Sequence, residues 1–141
     1  MKKIGFLISV LLLLAGCNFK NNELSYSKVE LNSTKDEVLE FVKSVEGENG
    51  IHLFQYEDNT MYVFLNGNIV EQGSDARFFS DFKVNGKDDT LNIYYDEKFT
   101  NDYANKTLNN RELYKINLDK KYENVIPFKN NDETSFKVIY K

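Results

Sequence analysis

The sequence predicts an α+β domain, mainly antiparallel β, with one N-terminal helix and about seven short strands in a sheet, small sandwich or barrel. Three observations carry that expectation. The stretch 34–45 spaces its apolar residues as a helix does, most of the chain beyond residue 50 alternates with a period of two, and Asn-Gly pairs punctuate the alternating runs. The chain has 141 residues, of which 41% are hydrophobic and 14% aromatic, so it is material for a single core.

The first seventeen residues stand apart from this domain. Met1-Lys2-Lys3 is cationic, and Ile4 to Ala15 is an almost unbroken apolar run that ends in Gly16-Cys17. As a helix this run spans roughly 18 Å, short of a hydrocarbon core of ~30 Å, so it is expected to be an export signal that is removed. The tetrad Leu14-Ala15-Gly16-Cys17, placed behind a cationic start and an apolar core, resembles the lipobox of bacterial lipoprotein precursors. The resemblance implies cleavage between Gly16 and Cys17 and transfer of a diacylglyceryl group to Cys17. The residue types suit that chemistry, because a thiolate is the strongest side-chain nucleophile and small Ala15 and Gly16 let a membrane-embedded peptidase close on the bond. The alternative is an ordinary secretory signal followed by a free thiol. One acyl chain holds a protein only marginally, whereas two convert marginal into lasting attachment.

The expected organisation is a signal peptide over 1–16, a lipidated Cys17 with a flexible tether over 17–27, and one extracytoplasmic domain over 28–141. Asn18 to Ser27 is polar and aperiodic. As a coil it would reach roughly 15 to 20 Å. Lys28-Val29-Glu30-Leu31 alternates and reads as a short first strand.

Thr34-Lys35-Asp36-Glu37 has the form of a capping box, with Val38, Phe41, Val42 and Val45 as one stripe behind it and Gly47 as a left-handed terminator. Ile51 to Tyr56 and Met61 to Leu65 read as strands. Asn66-Gly67 reads as a hairpin turn that returns Asn68 to Gln72 antiparallel to the second. Phe78, Ser80, Phe82 and Val84 alternate with Arg77, Phe79, Asp81 and Lys83, which predicts a buried first set and a polar second set. Asn85-Gly86 should turn that strand into Thr90 to Tyr95. Further strands are expected at Glu112 to Leu118 and Thr134 to Tyr140, while Pro127 argues against a central strand within Lys120 to Asn131.

The run from Thr34 to Val45, followed by Tyr56, Tyr62-Val63-Phe64 and Asn66-Gly67-Asn68-Ile69-Val70, is similar to the helix-then-hairpin order of small outer-membrane assembly lipoproteins and beta-lactamase inhibitor proteins. The Gly-x-Pro that usually follows the helix there is replaced by Glu46-Gly47-Glu48-Asn49, and nothing after Glu71 matches. The Lys- and Asn-rich chain also resembles small lipoproteins of low-GC Gram-positive bacteria.

Composition narrows the chemistry. One Cys and one His exclude an internal disulfide, a Cys-rich zinc site and a multi-histidine metal site, and no metal or cofactor is expected. His52 is the single candidate proton shuttle, and no Gly-x-Ser-x-Gly motif accompanies it, so it reads as a half-buried His among Phe54 and Tyr56 and no residue is expected to be catalytic. The acid pairs Asp88-Asp89, Asp96-Glu97 and Asp132-Glu133 are expected at solvated turns or strand ends. Phe79, on an otherwise polar face, and Tyr94 are candidate partner contacts. Removal of Lys2 and Lys3 from the 18 basic residues leaves 16 against 22 acidic ones, a net of −6, which repels nucleic acid. The expected function is a non-catalytic interaction domain held to the extracytoplasmic face of the cell membrane by Cys17, binding an envelope protein or small ligand. The alternatives are a small-ligand carrier with a β-barrel cavity and an envelope hydrolase using His52.

Overall fold

A computed structural model describes residues 23–141; the expected signal, Gly16, Cys17 and the tether as far as residue 22 lie outside the described residues. The elements are β1 Ser25–Val29, the 3₁₀ turn η1 Leu31–Ser33, α1 Asp36–Val45, β2 Gly50–Glu57, β3 Thr60–Asn66, β4 Ala76–Lys87, β5 Thr90–Thr100, β6 Arg111–Asn117, β7 Asn124–Lys129, β8 Asp132–Glu133 and β9 Val138–Tyr140. The first strand therefore starts three residues before its expected start at Lys28, and Leu31 opens a 3₁₀ turn instead of closing a strand.

The strands form two open sheets, ordered β1-β6-β3-β2-β9 and β4-β5-β7-β8, so the fold is α+β and not a closed barrel. Their inner faces meet in one core, where Val63, Leu65 and Ile116 of the first sheet pack with Phe79, Leu91 and Ile93 of the second. The sheets do not close into the barrel that the carrier alternative invokes. Helix α1 covers the other face of the five-stranded sheet, burying Val38, Phe41, Val42 and Val45 against Tyr62, Phe64 and Leu113. The order is helix, sheet, sheet. Strand β3 lies in the middle layer and is buried along its whole length, which is why its sequence is almost continuously apolar instead of alternating.

The helical stripe is buried as its spacing predicts, but the capping box does not form. Lys35 is the N-cap, no side chain caps the first turn, and Thr34 ends the preceding 3₁₀ turn, so Glu37 comes one position too early to reach back. Gly47 is not left-handed either. Glu46 is still right-handed, and the positive φ falls at Gly50 (129°), where β2 begins.

Two expected Asn-Gly turns are overturned by tertiary contacts. Asn66 is the buried last residue of β3, and its amide donates to the carbonyls of Glu46 (3.0 Å) and Glu48 (2.9 Å). Gly67 then donates its N–H to Asn110 O at 2.7 Å, and a Cβ there would lie 3.1 Å from that oxygen. Asn68 to Gln72 is irregular; β3 pairs with β2 and β6. Gly86 likewise sits inside β4, where Tyr122 leaves no space for a Cβ. The hairpins turn instead between Glu57 and Thr60, at Asp88-Asp89, and at Asn130-Asn131, whose φ values of 52° and 69° are those of a primed turn.

Pro127 does occur within a strand that has neighbours on both sides. It is aligned with Ile93 of β5, but its carbonyl accepts from Thr134 N (2.9 Å) on the opposite side, so the missing N–H removes no bond to β5. The expected strand over 134–140 shrinks to Val138–Tyr140, running parallel to β2 with Phe136 turned into the core.

Candidate functional site

Strand β4 contains the feature that sets the geometry of the surface. Between Ser80, aligned with Asp96, and Lys83, aligned with Tyr94, the register shifts by one residue, and Asp81 adopts φ 55°. This is a β-bulge. It reverses the alternation, so Phe79 before it and Phe82 and Val84 after it all face the core. Phe79 is 3% exposed and lies edge-on to Tyr95, so the expected partner contact at Phe79 is corrected: its ring is a core side chain. The bulge was signalled only by an Asp in the middle of a strand-like run, where that residue type is disfavoured.

Tyr94 projects from the opposite face of the sheet. Its ring stacks on Phe128 with centroids 4.9 Å apart, and the Lys83 ammonium lies 5.1 Å from its centre. Beside it is an open cleft of about 340 Å³ lined by Asp81, Lys83, Tyr94, Asp96 and Asn131, among others. These residues come from the bulge, from β5 and from the β7–β8 turn. Sequence spacing alone gave no reason to group them.

His52 is fully buried on the face of β2 that packs toward the helix, with its ring 6.2 Å from that of Phe64. A carbonyl only accepts, so the 2.9 Å bond to Glu48 O requires the proton on Nε2; Nδ1 is buried with no partner. Burial holds the imidazole below its ordinary 6.5, outweighing the pull of the Glu48 carbonyl upward. No Ser hydroxyl or carboxylate reaches the ring among the described residues. The ring is a buried strut with one satisfied nitrogen, deeper than the half-buried position expected.

The acid pairs do not all lie at turns. Glu97 is a buried residue of β5, holding Arg77 at 2.9 Å and Lys129 at 3.2 Å, and its main chain is clamped by the Asn130 side chain. A second buried carboxylate, Glu112, accepts from the Tyr114 hydroxyl at 2.7 Å and faces Lys28 at 3.3 Å. Burial, with Glu112 beside it, pushes the Tyr114 phenol well above its usual range. Burial and the Asp119 carboxylate push Tyr122 up to about 12. Among the described residues no group of three His, Cys, Asp or Glu is placed to hold a metal ion, and no helix is long and apolar enough to cross a membrane.

Comparison with protein-family models, with curated proteins and with solved structures finds no match to this chain.

Proposed function

We propose that this protein is a bacterial lipoprotein, anchored through diacylglyceryl on Cys17, whose domain serves as a non-catalytic interaction module on the extracytoplasmic face of the cell membrane. The observation that carries the reading is the tetrad Leu14-Ala15-Gly16-Cys17 behind a cationic and then apolar leader. The arrangement of the domain supports it. The chain enters at Ser25, aligned with Asn117, which is in turn aligned with Thr60. The connections after Asn66 and before Arg111 lie at the opposite end of the same sheet. The surface there carries Ile69 and Val70, both well exposed, and Phe99 (57%) and Tyr103 (61%) are exposed at the end of β5 and in the connection that follows. Aromatic and aliphatic side chains on an anchored domain's far end are suited to a protein partner.

The acidic net charge argues against nucleic acid, and both arginines are already engaged, Arg77 with Glu97 and Arg111 with Glu46. His52, closed off from solvent and lacking a nucleophile beside it, supports a module without catalysis.

Metabolic labelling with a radioactive fatty acid in a lipoprotein-processing bacterium tests the anchor. The wild-type chain should incorporate label and sediment with membranes. Cys17→Ser should lose the label and either leave the pellet or keep its signal. Labelling of the Cys17→Ser variant would overturn the proposal.

A further inference from the structure

The cleft beside Tyr94 has a composition that the fold itself does not require. Asp81, Lys83 and Asp96 all line it, yet none of the three takes part in an ion pair among the described residues. Asp81 accepts only from the neighbouring Ser80 hydroxyl (3.0 Å), and Lys83 lies over the Tyr94 ring. A bulge residue at φ 55° is accommodated without steric cost by glycine, so the Asp81 side chain is not what the backbone demands. Asn131, left-handed in the β7–β8 turn, adds an amide with two donors and an acceptor to the lining.

Residues carrying two carboxylates, one ammonium, an amide and a phenol thus line an open cleft of about 340 Å³, at the lower end of the volumes that hold small ligands. A neutral sugar would leave all three charges unmatched. A ligand with an ammonium and a carboxylate of its own would complement both signs.

We propose that this cleft binds a small zwitterion, a free amino acid or short peptide, with its ammonium toward Asp81 and Asp96 and its carboxylate toward Lys83, which lies over the Tyr94 ring. The site is independent of how the chain is anchored. The exposed setting makes each ion pair weak, so the affinity is modest and falls with salt.

The test is calorimetric titration of the full-length protein in detergent with L-alanyl-L-phenylalanine, with amide chemical shifts locating the site. Saturable binding at about millimolar affinity, with shifts at Lys83, Tyr94 and Asn131, is expected. The N-acetylated, C-amidated dipeptide should bind about tenfold more weakly, and Asp96→Asn and Lys83→Met should each weaken binding about three- to fivefold with the melting temperature held. Asp81→Asn keeps a residue that tolerates the left-handed backbone and should weaken binding to the same degree. Absence of saturation at about 10 mM dipeptide, equal binding of the blocked form, or binding of chitotriose in its place overturns the proposal.

Discussion

Phe79 and Phe82 face the same core although they stand an odd three positions apart on one strand, because the bulge at Asp81 inserts the extra residue between them. Beyond the bulge, Phe82 lies flat on Tyr114 of the facing sheet, centroids 3.7 Å apart and 6° from parallel, and meets Tyr26 of β1 edge-on at 5.6 Å. One ring therefore ties the bulged edge strand to two strands of the other layer.

Truncating that ring should be costly. Phe82→Ala is expected to remove about 3 kcal/mol, combining lost burial with the lost stack, whereas Lys83→Ala on the outer face should stay within about 0.5 kcal/mol. Urea midpoints of the two variants measure the difference. Similar midpoints would contradict the assignment of Phe82 to the core.

The bulge backbone gives a prediction of opposite sign. Asp81→Gly should leave stability unchanged or raise it by up to about 1 kcal/mol, since glycine accepts φ 55° freely, while Asp81→Val should cost about 1 to 3 kcal/mol because a β-branched residue is strained there. Thermal melts of the pair decide it.

His52 predicts a pH dependence. Its imidazole titrates below 6.5 in the fold and near 6.5 when unfolded, so the unfolded chain binds the proton more readily. The His52 contribution is therefore fully present above about pH 6.5 and is lost as pH falls below it toward the folded value, with a slope of up to about 1.4 kcal/mol per pH unit. Lys137 pushes the same way and the Glu48 carbonyl opposes. Denaturation midpoints between pH 7 and 5 should decline more steeply for wild type than for His52→Gln; parallel slopes would show that the ring does not titrate as argued.

Glu97 joins β4 to β7 through Arg77 and Lys129. Glu97→Ala removes the shared anion and leaves two cations facing each other, an expected loss of about 2 to 3 kcal/mol, reduced from the fully buried case because both bases reach solvent. Arg77→Met with Lys129→Met should recover part of it in a double-mutant cycle. A null interaction energy would place the stabilising role of Glu97 in its backbone clamp by Asn130 instead.

What was legible in the sequence was local. The stripe of Val38, Phe41, Val42 and Val45 and the alternation of Tyr114, Ile116 and Leu118 are properties of single elements, so periodicity identified their buried faces without knowledge of neighbours. The apolar run from Ile4 to Ala15 and Cys17, on which the proposed anchor rests, are local features of the sequence as well. What only the tertiary structure decided was where propensity met a competing contact. Asn66-Gly67 has ideal turn chemistry, yet two carbonyls of the helix exit hold Asn66 in the sheet, and Asn110 holds Gly67. Phe79 has the parity of an outward residue and is turned inward by a bulge two positions away. Pro127 is tolerated in a strand because the side of its missing N–H faces away from β5. The cleft draws Asp81, Lys83, Tyr94, Asp96 and Asn131 from three segments. The hydrogen bonds at these positions, about 1 kcal/mol each, are comparable to the local preferences they oppose and have partners distant along the chain, so only the assembled sheets determine which preference is met.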